Sequence, residues 1–554
     1  MTAQTGTMGT SKPSAMQRIL GGIEKVGNKV PHPVLMFLYL IVIIMVLSSI
    51  LALLNVSVTE QIATPAPIPI EKNYYEDTTE TQIALPPGQV SYPSGNFEIA
   101  KRTIAIRSLL SVDGIRFIFS SFVTNFASFG VVAVTLVAMA GVGVAEEAGM
   151  MGALIRKLVQ ASPRRALALI LILVGALSSV ASDAGYLILI PLAAAAFVSV
   201  KRHPLAGLAA AFAGVAGIFA VNILITPIDS MLTEITNEAI GLAGGTPITV
   251  AANYFFSAAS TVVISVVVWV VTERVVEPRL GAYQLEEGSS EGGGEGHAID
   301  AAAEGRGLRY ALYFFLGVLA VVLALTLPPG APLRHPETGA IIGNTPFMDS
   351  LIFIISLMFL IAGIGYGIGA KTLSGSGDVI KGVTKTFAGL AGLIFMLLMI
   401  SQFIAFFNYT NMPTVAAVAM ADALERANIG ALPLLIGMIL VIVLLDFIIP
   451  GVVPKWAIFA PVFIPIFMRL GVAPQTVLAA YRVGDSPVNV LTPLMVYLPF
   501  IVTVAQRYQK NAGLGTIIAL MLPYALVITI AWILFFVLWF LLGVPLGPGY
   551  PVGA

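Results

Sequence analysis

The stretch that decides the fold is AYRVGDSPVNVLTP, residues 480–493, which interrupts an otherwise apolar region. It carries Arg482 and Asp485 three positions apart. These are followed by Asn489, which has a proline on each side, at 487 and 493. Ionisable side chains and proline-broken backbone are costly in lipid, because polar groups left unpaired there find no water. The stretch therefore predicts a membrane helix that breaks inside the protein, where its backbone lines a cavity or a buried site.

The composition around this stretch is that of a chain built for a bilayer. Of 554 residues, 58% are hydrophobic and 10% are charged, whereas soluble domains carry about 25% charged residues. We therefore predict an all-α polytopic membrane protein with the lipid bilayer as its surroundings. The formal net charge is zero and cysteine is absent, so nothing indicates a nucleic-acid partner or a thiolate metal site. Residues 1–32 are polar and read as a cytoplasmic N-terminal segment rather than a signal peptide.

Nine stretches are long enough to cross the membrane, since a spanning helix needs about 20 apolar residues. Two further apolar stretches, 166–200 and 431–470, are too long for one crossing and are broken by polar residues, glycine or proline in their middle. We predict that each is a re-entrant hairpin. The nine predicted spans are 33–54, 129–150, 205–226, 248–272, 309–328, 349–369, 387–407, 486–505 and 516–543.

Basic residues set the predicted orientation, because cytoplasmic loops are enriched in Lys and Arg. Such residues flank the first hairpin on both sides, at 164–165 and 201–202, so both of its ends are predicted to be cytoplasmic. Two short full spans would give the same charge pattern and remain an alternative. Continuing the count puts the second hairpin on the opposite face, the N-terminus in the cytoplasm and the C-terminus outside.

The predicted domain organisation has two halves, 33–275 and 309–554. Between them, the Gly- and Glu-rich segment 276–308 reads as a flexible cytoplasmic linker. A long outer loop is predicted over 56–115, with an interfacial helix at Leu109–Phe119.

The halves share an internal repeat, which follows the hairpin in each case. Residues 204–214 and 474–484 both read Pro-x3-Leu-Ala-Ala-x3-Gly, and VNILITP (221–227) is matched by VNVLTP (488–493). Because the hairpins are predicted on opposite faces, the repeat is predicted to be inverted. Inverted repeats with broken helices are typical of secondary transporters, whose site lies where the repeats meet.

Broken helices free backbone carbonyls that can ligate a cation, and their helix N-termini favour a carboxylate. The coupling ion is predicted to be Na⁺ or a proton. No other metal and no cofactor is indicated. The side chains predicted to bind or couple the ion are Ser182, Asp183, Asn222, Thr226, Asp446, Asn489 and Thr492.

Charges at membrane depth are functional candidates. Arg482 and Asp485 lie one helical turn apart, so they either form a structural ion pair, or Arg482 binds a substrate carboxylate while Asp485 senses a proton or cation. Asp183 lies at the first hairpin tip. Asp446 and Lys455 either line the site or extend from a hairpin arm toward the membrane surface. The neighbouring Trp456 is either packing or an aromatic wall against a substrate ring.

Five long stretches resemble the AbgT family of p-aminobenzoyl-glutamate transporters, and the resemblance covers nearly the whole chain. They are GVGVAEEAG (141–149), SDAGYLILIPLAAAAF (182–197), HPLAGLAAAFAG (203–214), PKWAIFAPVFIPIF (454–467) and YRVGDSPVNVLTPLMVYLP (481–499).

The resemblance implies a homodimer in the inner membrane, with nine spans and two re-entrant hairpins in each subunit. It also implies a substrate such as p-aminobenzoyl-glutamate, and export of sulfonamide antimetabolites by some members. The residues that it marks as important for substrate are Asp183, Trp456, Pro474, Arg482, Asp485 and Pro493.

The chain departs from the family pattern at the second hairpin tip. Where the resemblance implies a serine-rich tip preceded by an asparagine, this chain has GVVPKW (451–456) and Asp446. We predict that Asp446 compensates for the lost neutral ligands and favours coupling to protons.

Three other functions are weighed against this one. A dicarboxylate or short-chain carboxylate carrier of similar architecture would differ in its substrate. A channel would conduct without saturation. An enzyme is disfavoured, since the metalloprotease motif HExxH does not occur.

Overall fold

The computed structural model describes most of the chain between residues 33 and 553. The segments 1–32, 66–96 and 284–300, and short stretches that include Ser182, Asp183 and Pro493, lie outside the described residues. The predictions for these segments and side chains therefore have no counterpart below. The described residues are 33–65, 97–163, 166–181, 185–281, 283, 301–342, 345–416, 418–419, 430–447, 449, 451–492, 495 and 497–553.

The first half consists of helices and one pair of strands. Its elements are α1 (Pro33–Leu53), β1 (Ser57–Pro65), β2 (Phe97–Ala105), α2 (Val112–Ala127), α3 (Gly130–Glu147), α4 (Met150–Gln160), α5 (Leu167–Leu177), a 3₁₀ turn (Ser178–Ala181), a π turn (Gly185–Leu189), α6 (Ile190–Ser199), α7 (Pro204–Ala216), α8 (Pro227–Leu242), α9 (Tyr254–Val271), a second π turn (Thr272–Val276) and α10 (Glu277–Leu280).

The regular elements of the second half, among its described residues, are all helices. Its elements are α11 (Ala301–Thr326), α12 (Pro346–Asp349), α13 (Leu351–Ala370), α14 (Ser376–Gly389), α15 (Ala391–Tyr409), α16 (Ala431–Leu445), α17 (Val452–Arg469), α18 (Pro474–Asp485), α19 (Leu498–Gln506) and α20 (Leu514–Leu541).

Eight helical segments in the described part of the chain are long and apolar enough to cross a membrane. Seven of them fall on predicted spans, and the eighth is α17, which was predicted as a hairpin arm. The protein is thus a largely helical, multi-pass membrane protein.

Two predicted spans, 205–226 and 486–505, are wrong as continuous helices. The first stops at Ala216, and the chain is non-helical until α8 starts at Pro227. In the second, the described residues from Ser486 to Tyr497 form no regular helix, and α19 starts at Leu498. Proline ends the second helix and begins the one after the first break: Pro487 lies two residues beyond Asp485, and Pro227 is the first residue of α8. The apolar runs continue through the breaks, so hydropathy alone did not reveal them.

The prediction of an all-α chain is wrong for residues 57–65 and 97–105. Strands β1 and β2 pair antiparallel, with Ser57 opposite Ala105 and Pro65 opposite Phe97. Both strands are rich in β-branched residues, which favour a pleated surface. The helix expected at Leu109–Phe119 is α2, which starts three residues later because Ser111 caps it.

The repeat is visible as the same order of elements in the two halves. Helix α7 packs against α5 and α6, the two helices of the first predicted hairpin. Helix α18 packs in the same way against α16 and α17. Both α7 and α18 are buried along nearly their full length, so they form the centre of the molecule.

The glycine shared by the two repeats permits this close packing. A Cβ atom at Gly214 would lie 2.7 Å from the carbonyl oxygen of Ile172 in α5. A Cβ atom at Gly484 would lie 2.9 Å from the carbonyl oxygen of Ile439 in α16. Small residues of this kind let helix backbones approach each other in membranes.

Substituting Gly214→Ala is expected to lower the free energy of unfolding by about 1–3 kcal/mol, because the added methyl group overpacks a backbone contact. Thermal unfolding of the purified protein, followed by tryptophan fluorescence, measures the effect. The matched control is Gly241→Ala near the end of α8, where no atom lies within 4 Å of the new Cβ. An equal loss of stability in both variants would contradict the packing role.

Candidate functional site

The two breaks in the repeat helices meet at the centre of the protein. The backbone N–H of Ala220, in the first break, donates to Ser486 Oγ in the second at 2.8 Å. Arg482 Nη1 donates to the carbonyl oxygen of the same Ala220 at 2.7 Å. Asn489 Nδ2 lies 3.5 Å from the carbonyl oxygen of Ala216 at the end of α7. Carbonyls freed by the breaks are thus satisfied by polar groups of the opposite repeat.

Arg482 pairs with Asp229, a residue that the sequence analysis missed. Its Nη1 lies 2.6 Å from Asp229 Oδ1, and both side chains are at least nine-tenths buried. The other oxygen, Asp229 Oδ2, accepts from the backbone N–H and the hydroxyl of Thr226 at 2.7 and 2.8 Å. Thr226 and Asp229 form a capping box at the start of α8. The spacing Thr-x-x-Asp after a helix break is the signal that could have revealed Asp229.

Asp485 pairs with Lys455 and not with Arg482. The structure therefore differs from the predicted Arg482–Asp485 ion pair, and it also gives Asp485 a charged partner that the alternative prediction did not include. Lys455 Nζ lies 2.9 Å from Asp485 Oδ1 and also forms an ion pair with Asp446. All three side chains are completely buried or 1% exposed. We refer to Asp446, Lys455 and Asp485 as the lysine triad. Because Lys455 lies inside the protein, neither it nor Asp446 reaches toward the membrane surface.

Aromatic residues connect the lysine triad to the start of α17. The hydroxyl oxygen of Tyr481 lies 2.5 Å from the carbonyl oxygen of Val452 and 3.1 Å from Asp485 Oδ1. Its ring packs on Trp456, with 4.4 Å between the ring centroids. Trp456 Nε1 donates to Thr236 Oγ1 of α8 at 2.9 Å. Trp456 is fully buried, so contact with a substrate ring would require this packing to open.

A cavity of about 300 Å³ lies where the breaks and both predicted hairpins converge. Its walls are mostly apolar, and they include a stacked pair of rings, Tyr186 and Tyr497, whose centroids are 4.4 Å apart. The lining residues are Met139, Ser179, Val180, Tyr186, Phe219, Pro227, Ile228, Met231, Leu390, Leu393, Gly451, Val452, Asn489, Met495 and Tyr497.

The predicted ion ligands take different positions around this cavity. Asn489 lines it. Asn222 lies behind the first hairpin, where its Nδ2 donates to Ser179 Oγ at 2.8 Å and to the carbonyl oxygen of Ala176 at 3.0 Å. Thr226 is occupied by the helix cap, and Thr492 is 1% exposed. The described ligands therefore do not converge on one point in this conformation.

The four described residues that the family resemblance marks as important for substrate are not among those that line the cavity: Trp456, Pro474, Arg482 and Asp485. Pro474 is the first residue of α18, and the 11 residues to Asp485 span roughly 16 Å of helix. Arg482 is behind the cavity wall, since Asp229 follows the lining residues Pro227 and Ile228. Direct contact between Arg482 and a substrate would require the pair with Asp229 to open.

Broken helices that meet at a buried, charged centre inside a bundle of apolar helices are the architecture of secondary transporters. A profile of the AbgT putative transporter family matches residues 18–553. The chain belongs to this family of transporters.

Three relatives support the assignment. The p-aminobenzoyl-glutamate transport protein of Escherichia coli (strain K12) is 32% identical over 550 residues, which cover 98% of this chain and 99% of the relative. The crystal structure of the YdaH transporter of Alcanivorax borkumensis, which has an unusual topology, is 35% identical with a TM-score of 0.81, covering 94% of this chain and 100% of the other. The structure of MtrF from Neisseria gonorrhoeae, from a class of antimetabolite efflux pumps, is 36% identical with a TM-score of 0.82, covering 96% and 100%.

Proposed function

We propose that the protein is a secondary active transporter of aromatic carboxylates of the p-aminobenzoyl-glutamate type, driven by a proton or sodium gradient. The observation that carries this proposal is the central cavity, which is bordered by both repeats and by both hairpins. A site bordered by two repeats can open to either side as one repeat moves against the other. Import and export use the same site, and direction follows the gradients.

The cavity suits a ring better than a small polar acid. Its 300 Å³ is at the lower end of ligand pockets, which range from roughly 300 to 1,000 Å³. The stacked rings of Tyr186 and Tyr497 provide an aromatic surface, and the apolar walls would bury the ring of an aminobenzoyl group. These features favour an aromatic substrate over the alternative, a dicarboxylate or short-chain carboxylate.

The carboxylate end of the substrate has a candidate position at the start of α17. Gly451 and Val452, the N-cap and first residue of this helix, line the cavity. No side chain among the described residues caps the helix, so its first N–H groups are suited to bind an anion. Arg482 would join them only in a state in which its pair with Asp229 has opened.

The relatives support the substrate class and extend it. A protein 32% identical to this chain is named for p-aminobenzoyl-glutamate transport, and MtrF belongs to a class of antimetabolite efflux pumps. We therefore include sulfonamide antimetabolites among the proposed cargo, as the resemblance implies.

The proposed transporter is a homodimer in the inner membrane, with the N-terminus in the cytoplasm and the C-terminus outside. Each subunit has nine crossings, two of them made of the broken helices α7–α8 and α18–α19, and two re-entrant hairpins, α5–α6 and α16–α17. The packing is equivalent in the two halves, since α5 and α6 pack against α7 as α16 and α17 pack against α18. This equivalence supports the arrangement.

Counterflow in liposomes tests the proposal. Purified protein is reconstituted with unlabelled p-aminobenzoyl-glutamate inside, and uptake of the labelled compound is followed while Na⁺ and pH gradients are varied separately. We expect saturable counterflow and gradient-driven accumulation. Competition by aliphatic dicarboxylates but not by aminobenzoyl compounds would favour the alternative carrier. Single-channel currents without counterflow would overturn the carrier mechanism.

Removing one ring of the aromatic pair is expected to weaken substrate binding. In Tyr497→Ala the KM for p-aminobenzoyl-glutamate should rise about tenfold, since an aromatic contact plus its buried area contributes about 1–2 kcal/mol. The matched control is Tyr39→Ala in α1, whose side chain is 53% exposed on the outside of the bundle. An unchanged KM in Tyr497→Ala would exclude this wall of the cavity from substrate binding.

A further inference from the structure

The lysine triad is a buried cluster whose charges do not balance. Two carboxylates, Asp446 and Asp485, share the single ammonium group of Lys455, and the nearby Arg482 is already paired with Asp229. With every group ionised, the lysine triad would carry a net charge of −1 with at most 1% exposure. Burying an uncompensated charge is costly, and a side chain that can become neutral does so instead.

The charges of the lysine triad and of the Arg482–Asp229 pair lie at different helix ends, and therefore interact differently with the helix dipoles. Asp229 is in the first turn of α8 and Arg482 in the last turn of α18, so each charge is favoured by its own helix dipole. Asp446 is instead the C-cap of α16, and Asp485 is the last residue of α18. Both carboxylates therefore lie at the negative ends of their own helices.

The two carboxylates are not equally supported. Asp485 Oδ1 contacts both Lys455 Nζ and the Tyr481 hydroxyl, whereas the only partner of Asp446 among the described residues is Lys455. The second oxygen of each, Oδ2, is buried and has no hydrogen-bond partner in the described structure. A buried carboxylate oxygen that accepts no hydrogen bond is able to bind one proton.

A proton fits this cluster better than a metal cation. The ammonium group of Lys455 already lies against both carboxylates and would repel a second cation at contact distance. A proton adds no such contact, because it binds directly to a carboxylate oxygen and brings the net charge of the lysine triad to zero.

We propose that the coupling ion of this transporter is a proton, and that Asp446 Oδ2 carries it. This inference rests on the proposed transport function and assigns its coupling site. With the proton bound, the lysine triad is neutral and the second hairpin can move through an apolar environment. With the proton released to the side on which the cavity opens, both carboxylates are charged, and Lys455 of the hairpin is held against Asp485 of α18.

In the described structure, Tyr481 connects the lysine triad to the cavity. Tyr481 contacts Asp485 and the carbonyl oxygen of Val452, and Val452 lines the cavity. The titratable and charged groups that face Asp446 are Lys455 of α17 with Asp485 and Tyr481 of α18. Helix α20, which also packs on α16, carries no charged residue, and its single tyrosine hydrogen-bonds Thr272. A change of charge at Asp446 therefore acts on the start of α17, where we place the substrate carboxylate.

Infrared difference spectroscopy tests the proton site without any substrate. The full-length protein, reconstituted in lipid and labelled with ¹³C at its Asp carboxyl groups, is titrated from about pH 9 to about pH 5, a range in which exposed Asp side chains stay ionised. We expect the C=O band of a protonated Asp to appear as the pH falls. The band should be absent in Asp446→Asn and unchanged in the control Asp113→Asn, whose carboxylate is exposed.

Two outcomes would overturn the assignment. One is a wild-type protein with no protonated Asp band at any pH in this range, a result that does not depend on how any variant folds. The other is a band that persists in Asp446→Asn and is lost in Asp485→Asn, which would move the proton to the neighbouring carboxylate.

A transport measurement tests the proton site at Asp446 separately from the proposed substrate. In Asp446→Asn we expect counterflow of p-aminobenzoyl-glutamate to continue at equal pH on both sides, while accumulation driven by a pH gradient is lost. Full pH-driven accumulation in this variant would overturn the role of Asp446. A wild-type protein without counterflow would instead refute the proposed substrate, and the infrared titration would still report on the proton site.

Discussion

Replacing Arg482 with methionine is expected to lower the free energy of unfolding by about 3–5 kcal/mol and to abolish transport. Removing one partner of a buried ion pair leaves the other charge uncompensated, which is the costly case. Here the charge left behind is Asp229, whose remaining bonds among the described residues come from Thr226. The carbonyl oxygen of Ala220 also loses its guanidinium donor, so the contact between the two repeats weakens.

A double-mutant cycle measures how much of this loss belongs to the pair. Arg482→Met combined with Asp229→Leu should recover most of the stability, since an apolar replacement of both partners is often tolerated. The control is Arg116→Met, which breaks the exposed pair with Asp113 and should cost no more than about 1 kcal/mol. If Arg482→Met is as stable as the wild type but no longer binds substrate, the guanidinium acts on the substrate rather than on Asp229.

Replacing Lys455 with methionine is expected to have an effect of similar size, about 3–5 kcal/mol. The change removes the one cation between Asp446 and Asp485 and leaves two buried carboxylates facing each other. We expect the loss to grow as the pH rises, because protonation of either carboxylate removes one of the opposing charges. Thermal unfolding at several pH values, followed by tryptophan fluorescence, checks both the size and the sign.

A second substitution tests whether charge balance is the cause. Adding Asp446→Asn to Lys455→Met removes one negative charge with the positive one and should restore part of the stability. Lys385→Met is the control, since Lys385 pairs with Glu147 at 2.6 Å on an exposed surface and should change stability by less than about 1 kcal/mol. A loss in Lys455→Met that is independent of pH and not relieved by Asp446→Asn would show that packing, not charge, is responsible.

The ends of the broken helices mark the limit of sequence-based prediction here. Hydropathy located seven of the described membrane helices, because a run of about 20 apolar residues is a local property. It misplaced the spans 205–226 and 486–505, since the apolar character continues past Ala216 and across Pro487 while the helix does not. The Thr-x-x-Asp capping pattern at Thr226 indicates that a new helix starts there, and it also identifies Asp229.

The sequence by itself determined the membrane class, the two-fold repeat and the interruption of the chain at AYRVGDSPVNVLTP. These follow from composition, spacing and proline chemistry, which act over a few residues. Only the tertiary structure decided the partners of the charges. Arg482 and Asp485 are one turn apart on α18, yet Arg482 pairs with Asp229, which is 253 residues away, and Asp485 pairs with Lys455. Side chains on one helix turn point in different directions, so the helices that pack on each side determine which opposite charge is within reach.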